Sequence, residues 1–332
     1  MNTFPNEVID IVGIGASTLD RFIVVDHFPT GREVQQSISS TTDGGGPVAT
    51  ALATAGKYGS CTVMIDRIGD DMVGRYILED FHKYNVNIEG IQVDADAKSG
   101  TATILVKQKT GERAVFFERS TAPEPEFLDD YQGLIENAFI VHINGRHRHL
   151  MRTAIDLARQ SGTIISLDGG AQRYDDDMRT ITESSHVVIV ARDYAEKYTG
   201  TTDLEAACRI IHDRGALIAG VTDGANGSYF VWPDGTAYRC QPFPQEHVVD
   251  TTGAGDSFHG AFLSKLAASI RQEDALHDKF IKPIDILQSL DHKQLESAAI
   301  FASAVSALNT QGIGGRSALP SLETARNLAG LE

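Results

Sequence analysis

The chain has 332 residues, a formal net charge of −16, 42% hydrophobic residues and 22% charged residues. This composition is typical of a globular protein that is long enough to bury a large core. The strong negative charge argues against a nucleic-acid partner, because binding to nucleic acid depends on cationic contacts to phosphates.

Two further classes are disfavoured. No run of about 18 apolar residues is present, so we expect no membrane span and no membrane partner. The N-terminal residues lack a basic segment followed by a long apolar core, which argues against a secretory signal. Three scattered cysteines, Cys61, Cys208 and Cys240, favour a reducing cytoplasm over a disulfide framework or a zinc site.

Short apolar runs alternate with helix-like segments along most of the chain. The expected strands cover 8–13, 62–65, 138–143, 163–167, 186–190 and 216–221, and the clearest helices cover 48–58, 150–160 and 204–214. Repeated strand–helix units with almost continuously apolar strands predict a mostly parallel sheet covered by helices on both faces. We expect a single α/β domain over residues 1–332.

The turn after the first strand mimics a dinucleotide-binding fingerprint. It reads Gly13-Ile14-Gly15-Ala16-Ser17-Thr18, with Thr where the sixth position requires Gly or Ala. This departure disfavours a Rossmann-type dehydrogenase, which stays open as an alternative. No G-x-x-x-x-G-K-[ST] motif occurs, which excludes a P-loop enzyme.

Two segments, about 21–42 and 101–119, break the strand–helix rhythm. The second contains two β-branched and aromatic runs separated by a Lys109-Thr110-Gly111-Glu112 turn, which is typical of a hairpin. Both segments look like antiparallel strands that could form a small accessory sheet. The alternative is an ordinary edge hairpin.

Polar and glycine-rich positions follow several of the expected strands. Asp20 lies just after the first strand, and ligands of open α/β sheets bind at the carboxyl ends of strands. A second glycine-rich turn, Asp43-Gly44-Gly45-Gly46-Pro47, leads into a helix and would admit close backbone approach to a ligand. A plain loop or helix start would explain either feature as well.

Arg146 follows the strand over 138–143 and belongs to a cluster of histidines and arginines in the sequence. Its paired N–H donors suit an anionic group on a substrate, although a solvated surface turn also fits. His147 and His149 form an H-x-H pattern, but no third ligand has a convincing spacing for zinc.

The most informative stretch is 248–262, which reads VVDTTGAGDSFHGAF. A glycine-rich turn precedes an amphipathic helix, whose first N–H groups lack internal acceptors and lie at the positive end of the helix dipole. Small residues let an anion approach these donors, and Asp256 sits in the first turn. An anion cradle beside a carboxylate suits phosphoryl transfer, with the carboxylate taking a proton from an acceptor hydroxyl. Asp256 as a simple helix cap is the alternative.

This stretch resembles the C-terminal signature of the ribokinase-like (PfkB-type) carbohydrate kinases. The turn at Gly44 and Gly45 resembles the family's N-terminal signature, and 222–227 resembles a nucleotide-side T-x-G-x-x-G. The resemblance implies a ribokinase-like fold with a β-sheet lid at about 21–42 and 101–119. It also implies an ATP- and Mg²⁺-dependent sugar kinase that forms a homodimer through the lid.

The resemblance carries several roles over to matching positions. Asp256 would be the general base, and the amides of Gly253, Ala254 and Gly255 would stabilise charge on the transferred phosphate. The expected sugar contacts are Asp20, Gly44, Gly45, Thr50 (where the family usually has Asn) and Arg146. The expected ATP contacts are Thr222, Gly224, Gly227 and Ser303.

The expected metal sites depart from the family pattern in one place. Asp250, Thr252, Asn309, Gly312 and Gly314 resemble a monovalent-cation site, which predicts K⁺ activation unless this segment only shapes the nucleotide pocket. The N-x-x-E that helps place Mg²⁺ is missing, since Ala191 and Tyr194 stand there. Asp193 or Glu196 would have to substitute.

The substrate stays open at this point. The variant glycine turn, the His-Gly-Ala-Phe after Asp256 and the Gly314-Gly315-Arg316 tail resemble the sulfofructose kinase branch, which favours a ketose or an anionic sugar. Ribose or a nucleoside is the alternative within the family. A non-catalytic sugar or nucleotide sensor is the alternative outside catalysis, although Asp256 weighs against it.

Overall fold

The apolar runs assemble into a ten-stranded central sheet with a separate four-stranded sheet at one edge. A computed structural model describes residues 8–276 and 281–331. The strands are β1 (Ile9–Ile14), β2 (Thr18–Val25), β3 (Ser39–Gly45), β4 (Thr62–Gly69), β5 (Val86–Asn87), β6 (Ile91–Asp94), β7 (Gly100–Lys107), β8 (Arg113–Glu118), β9 (Ala138–Ile143), β10 (Ile164–Gly169), β11 (Val187–Ala191), β12 (Ile218–Thr222), β13 (Ser228–Val231) and β14 (Ala237–Cys240). The helices are α1 (Pro47–Lys57), α2 (Met72–Lys83), α3 (Asp129–Glu136), α4 (Arg148–Ser161), α5 (Asp176–Glu183), α6 (Arg192–Thr199), α7 (Leu204–Asp213), α8 (Ala254–Asp274), α9 (Pro283–Ser289), α10 (His292–Asn309) and α11 (Leu322–Ala329).

The central sheet has the order β14-β13-β12-β11-β10-β9-β1-β4-β5, and β6 also pairs with β4. All neighbours are parallel except β12–β13 and β13–β14, which are antiparallel. Residues of β1, β9 and β10 are buried at every position, because helices cover both faces. The predicted mostly parallel, doubly covered sheet is confirmed.

Two apolar clusters fill the space between the sheet and its two helix layers. One cluster includes Leu52 of α1, Phe262 of α8 and Phe301 of α10. The other includes Leu150 of α4 and Ile211 of α7. Within the described ranges, no helix is both long and apolar enough to cross a membrane.

The four-stranded sheet, called the lid here, has the order β3-β2-β7-β8. The pairs β2–β3 and β7–β8 are antiparallel, as expected for the two segments, but β2 and β7 join them in parallel. The strands also extend beyond the expected bounds, since β2 begins at Thr18 and β3 ends at Gly45. Phe22, Ile104 and Val106 form a small core under this sheet.

The glycine-rich segments differ from their predicted local structure. Gly44 and Gly45 are the last residues of β3 instead of a turn. Gly46 precedes α1 with φ of 92°, and a Cβ there would lie 2.0 Å from the Ala16 carbonyl oxygen, so only glycine fits. Strand β2, and not a helix, follows the turn at Gly15, which removes the helix N-terminus that a dinucleotide fingerprint requires.

A buried arginine connects the C-terminal loop to the root of the lid. Arg316 is 2% exposed, and its guanidinium donates to Asp80 of α2, to Thr50 Oγ1 of α1 at 3.1 Å and to the Gly45 carbonyl at 2.9 Å. Its backbone N–H donates to Asp43 at 2.8 Å. The C-terminal loop, β3, α1 and α2 are therefore fixed to one another through one residue.

Candidate active site

The turn before α8 presents two free backbone donors. Gly253 has φ of 71°, and a Cβ there would lie 2.5 Å from Gly315 Cα, so the tight approach of the two loops requires glycine. Within the described part of the chain, the N–H groups of Gly253 and Gly255 have no acceptor, whereas that of Ala254 donates to the Thr251 carbonyl at 3.3 Å. The predicted cradle therefore has two free amides and one that is already engaged.

Asp256 lies in the first turn of α8 and is partly buried. Burial, followed by the negative charge of Asp168, raises the pKa of Asp256 to about 6, although Arg173, His259 and Arg316 oppose the increase. A carboxyl with a pKa near the working pH is well matched to general-base chemistry.

A second carboxylate, Asp168 at the end of β10, stays ionised behind Asp256. Burial alone would raise the pKa of Asp168, but the nearby charges of His259 and Arg173 hold it well below its usual range. His259 Nε2 lies 3.3 Å from Asp168 Oδ1, and Arg173 Nη1 lies 3.4 Å from Oδ2. The pKa values of the two acids are thus shifted in opposite directions, a pattern that is typical of acid–base sites.

His142 lies behind this pair in the interior of the sheet. It is fully buried, and its Nδ1 shares a hydrogen bond with Ser166 Oγ at 3.1 Å. Its ring is tilted by 38° relative to that of His259, with ring centroids 5.4 Å apart. Burial and the neighbouring His259 lower the pKa of His142 to about 3. His142 lies in the predicted strand over 138–143, here β9, so the surface-turn interpretation of the neighbouring histidines and arginines does not apply to it.

A cavity of about 250 Å³ lies on one side of the α8 turn. All four residues predicted for the nucleotide, Thr222, Gly224, Gly227 and Ser303, line it, and so do Thr251 and Gly255. Residues 242–245, which read Pro-Phe-Pro-Gln, also line it. Sequence reasoning missed this segment, although its two prolines mark a break after β14.

A larger cavity, about 580 Å³, lies between the lid and the carboxyl ends of the central strands. Asp20 and Arg146 line it as predicted, together with the unpredicted Asn144, Arg119 and Arg173. Asn144 follows β9 directly, so its position after a strand was the available signal.

The predicted sugar contacts Gly44, Gly45 and Thr50 lie outside the lining of this cavity. A Cβ on Gly45 would lie 2.3 Å from Asp20 Oδ1, and one on Gly44 would lie 2.2 Å from Arg316 Nη1. Thr50 is 1% exposed and its hydroxyl accepts from Arg316. The two glycines make room for Asp20 and Arg316, and Thr50 holds Arg316. Direct contact of these residues with a sugar stays a prediction.

The arginines around the larger cavity fall into two groups. Arg148 pairs with Asp175 and Asp177, and Arg173 pairs with Asp168. Within the described residues, the guanidinium groups of Arg119 and Arg146 have no acidic partner or hydrogen-bond acceptor. Two uncompensated positive charges therefore face this cavity in a strongly acidic protein.

The other histidines of the histidine and arginine cluster do not converge on a metal. His147 Nε2 lies 2.9 Å from Asp66 Oδ1 and 3.1 Å from the Gly15 carbonyl oxygen. His149 is exposed. The H-x-H spacing thus reflects a loop contact and a surface position.

Comparison with known proteins identifies the family. The model described as "pfkB family carbohydrate kinase" matches residues 8–322. The chain belongs to the pfkB family of carbohydrate kinases.

Individual relatives agree with this assignment. The chain is 24% identical over 329 residues to a bifunctional ribokinase/ribose-5-phosphate isomerase A of Fructilactobacillus sanfranciscensis, covering 96% of the chain and 56% of that protein. It is 27% identical over 303 residues to probable fructokinase-5 of Arabidopsis thaliana, covering 86% and 87%. The Arabidopsis thaliana ribokinase structure complexed with ribose and ATP has a TM-score of 0.77 at 20% identity, over 98% of this chain and 100% of that one. The confirmed fold includes the mostly parallel central sheet and the small lid sheet.

The family's usual magnesium arrangement is altered in this carbohydrate kinase. Tyr194 is buried and its hydroxyl lies 2.7 Å from Thr182 Oγ1, so it belongs to the core. Glu196 pairs with Arg192 at 3.5 Å. Asp193 Oδ2 accepts from the backbone of Gln172 at 2.7 Å, and Gln172 lines the larger cavity. Mg²⁺ usually binds through one or two carboxylates plus substrate phosphates. Of the two acids expected to substitute, Asp193 has no cationic partner among the described residues, so it is the one that would hold the ion.

The residues predicted for a monovalent cation are only partly brought together. Asp250 Oδ2 accepts from Gly314 N–H at 3.0 Å, and Asp250 Oδ1 accepts from Thr252 Oγ1 at 2.7 Å. Asn309 donates to the Gly315 carbonyl at 2.9 Å, which leaves its own buried oxygen unpaired. Gly312 packs against Ala318 instead.

The opposed pKa shifts generate a test on the pH dependence. Asp168→Asn removes a negative charge that raises the pKa of Asp256, so the acid limb of kcat/KM should move to lower pH. Arg173→Met removes a charge that lowers this pKa, so its acid limb should move to higher pH. Initial rates measured from about pH 4.5 to about pH 9 with a sugar that supports turnover give both limbs.

Opposite displacements distinguish charge effects from damage to the fold. A general loss of structure would lower the rate in both variants without moving the limbs apart. If the acid limb of kcat/KM lies at the same pH in both variants as in the wild-type protein, Asp256 is not the titrating base.

Proposed function

We propose that this carbohydrate kinase transfers the γ-phosphate of ATP to a hydroxyl of a sugar derivative, with Asp256 as the general base. One observation carries the proposal. Gly255 lines the smaller cavity, whereas Arg173, whose charge acts on Asp256, lines the larger one. These contacts support a position of the base and the amide cradle between a nucleotide and a sugar in the two cavities, although Asp256 itself lines neither of them.

The chemistry follows from these positions. Asp256 takes the proton of the acceptor hydroxyl as its oxygen forms a bond to the γ-phosphorus. The bond between that phosphorus and the β,γ-bridging oxygen breaks, and ADP leaves with the electron pair. The N–H groups of Gly253 and Gly255 hold the negative charge on the transferred group. Mg²⁺, when bound, neutralises charge on the phosphate oxygens.

The lid contributes by excluding water from this reaction. Phe117 of β8 and Arg119, which directly follows this strand, line the larger cavity together with Asn144 and Arg146. A lid that covers the sugar limits transfer of the phosphate to water.

Replacement of the base gives the first test of this function. Asp256→Asn keeps the shape of the side chain but cannot accept the proton, so kcat should fall about 10²–10⁴-fold. ATP binding, measured by isothermal titration calorimetry, should persist because the amides and the smaller cavity are intact. A kcat near that of the wild type would remove Asp256 as the base.

The same variant has a predicted effect on stability. The folded-state pKa of Asp256 lies above its unfolded value, so the ionised carboxylate costs stability as the pH rises through about 6. The melting temperature of Asp256→Asn should therefore match or exceed that of the wild type at about pH 8, with less gain at about pH 5. Asp274→Asn, in the last turn of the same helix, serves as the matched control.

We infer that the substrate is an anionic sugar, with 6-deoxy-6-sulfofructose as the leading candidate. The uncompensated guanidinium groups of Arg119 and Arg146 support this choice, because paired N–H donors suit sulfonate and phosphate oxygens. Asp20 in the same cavity would accept hydrogen bonds from sugar hydroxyls, and burial raises the pKa of this carboxyl.

A neutral sugar is the second candidate. The names of the relatives, ribokinase and fructokinase, support ribose or fructose. On this alternative, Arg119 and Arg146 would contact water or phosphate groups of the nucleotide instead of the sugar.

A substrate panel with one variant separates the two candidates. The panel contains ribose, fructose, fructose 6-phosphate and 6-deoxy-6-sulfofructose, with ADP release as the measurement. Arg146→Ala should raise KM for the anionic sugars about 10–100-fold, the loss expected for about 1.5–3 kcal/mol of charge-assisted hydrogen bonding, and leave KM for neutral sugars nearly unchanged.

The control for this test is Arg152→Ala, which removes an exposed arginine of α4 outside the cavity lining. If ribose or fructose is the preferred sugar and Arg146→Ala leaves its kinetics unaltered, the anionic-substrate proposal is wrong.

We also propose that the outer face of the lid forms a homodimer interface. Side chains alternate across a strand, so Phe116 faces away from the cavity that its neighbour Phe117 lines. Phe116 is 61% exposed, and the β2–β7–β8 register places Ile23 and Leu105 on the same face. Thr103 and Arg21 lie beside Phe116 on this face. Exposed apolar side chains among polar ones are typical of an association surface.

The interface is tested by sedimentation velocity. Phe116→Asp should convert the wild-type dimer to a monomer, because a carboxylate cannot be buried unpaired in the contact. Leu322→Asp, which places the same charge on exposed α11, should leave the dimer intact. A wild-type protein that sediments as a monomer at micromolar concentration would contradict the proposal.

A further inference from the structure

The turn between β7 and β8 reaches the loop that precedes the amide cradle. A Cβ on Gly111 would lie 3.7 Å from the Val249 carbonyl oxygen. Arg113, the first residue of β8, extends from the lid onto residues 250–252. The lid thus touches the segment Asp250-Thr251-Thr252, which leads directly into Gly253.

The guanidinium of Arg113 contacts all three side chains of this segment. Its Nη1 donates to Asp250 Oδ1 at 3.1 Å and to Thr252 Oγ1, and its Nη2 donates to Thr251 Oγ1 at 3.1 Å. Thr251 also lines the smaller cavity. One lid side chain therefore orders the loop beside the proposed nucleotide site.

Asp250 needs a positive partner in this position. Its side chain is fully buried, whereas that of Arg113 is 34% exposed. Within the part of the chain that the structure describes, Arg113 makes the sole ion pair to Asp250. A buried carboxylate without a counter-charge is strongly unfavourable, so this contact stabilises the loop.

The oxygen atoms of Asp250 leave little room for an additional cation. Oδ1 accepts from the N–H and the hydroxyl of Thr252, as well as from Arg113, and Oδ2 accepts from Gly314 N–H. A K⁺ ion bound to Asp250 Oδ1 and Thr252 Oγ1 would take the two oxygens that Arg113 occupies. The two cations therefore exclude each other at these two atoms.

We propose that Arg113 is a built-in replacement for the monovalent cation at Asp250 and Thr252. The kinase then needs no K⁺ for an ordered cradle, and the cation is present only when the lid is in place. Arg113 touches no reacting atom and is a positioning residue. This inference rests on membership of the kinase family and not on the identity of the sugar.

Removal of the side chain should create a requirement for an alkali cation. Arg113→Ala leaves Asp250 buried and unpaired and frees the space that the guanidinium filled. K⁺ should then bind there and restore stability. Arg113→Lys should give an intermediate result, because an ammonium is a point charge without the forked donors of arginine.

Thermal unfolding without any substrate is the decisive measurement. The wild-type melting temperature should be the same in KCl and in choline chloride, each at about 100 mM so that charge screening is matched. The melting temperature of Arg113→Ala should be lower than that of the wild type in choline chloride and should rise in KCl. Lys109→Ala, which removes an exposed cation from the same turn, serves as the control and should have the wild-type response.

Enzyme kinetics provide a second measurement. The kcat of Arg113→Ala should increase at least about tenfold in KCl, whereas the kcat of the wild type should not change.

Two outcomes would overturn the proposal. If KCl stabilises the wild type as much as Arg113→Ala, the site is an ordinary cation site and the guanidinium does not fill it. If Arg113→Ala behaves like Lys109→Ala in both salts, the contact has no ordering role. Should Arg113→Ala fail to fold, Arg113→Lys in the same two salts gives the same decision. Because unfolding needs no sugar, the result stands apart from the assignment of Asp256.

Discussion

The buried Arg316 is the contact on which the arrangement of the site depends. It ties the C-terminal loop to Asp43 in β3, to Thr50 in α1 and to Asp80 in α2. The adjacent Gly315 lies against Gly253, so the same loop also fixes the start of α8. A single residue thereby relates the lid, the larger cavity and the amide cradle, and loss of a buried partner of this kind is costly because its acids would stay unpaired.

Charge is distributed around this frame so that each acid has one role. Asp168 is kept ionised by His259 and Arg173, and Asp250 is paired with Arg113, whereas Asp256 has no ion-pair partner at hydrogen-bonding distance among the described residues. Burial and Asp168 then place the pKa of Asp256 at about 6. The acid proposed to accept a proton thus differs in its surroundings from the two acids that are held by cationic side chains.

Local signals in the sequence predicted the layers of the fold and several of the residues that line the two cavities. Continuous apolar runs predicted the buried strands, and the glycine-rich turn at 253–255 predicted a helix start with free amides. The parallel pairing of β2 with β7 was not predictable, because it joins segments far apart in the chain and leaves no local pattern. Nor could the sequence show that Arg113 and Arg316 pair with buried acids, since such contacts depend on how distant elements pack. Thr50 is a further example of a contact that the sequence could not show. Its position in the motif suggested a contact with the ligand, whereas in the structure it is buried and accepts a hydrogen bond from Arg316.

The central claim is that Asp256 and the Gly253–Gly255 turn face the reacting groups of a nucleotide and a sugar. A crystal structure of Asp256→Asn with ATP, Mg²⁺ and the sugar that supports turnover tests it most directly. We expect the γ-phosphate within hydrogen-bonding distance of the Gly253 and Gly255 amides, and one sugar hydroxyl within about 3 Å of the substituted side chain at position 256. A triphosphate bound away from the 253–255 turn, or a sugar with no hydroxyl directed toward that side chain, would contradict it.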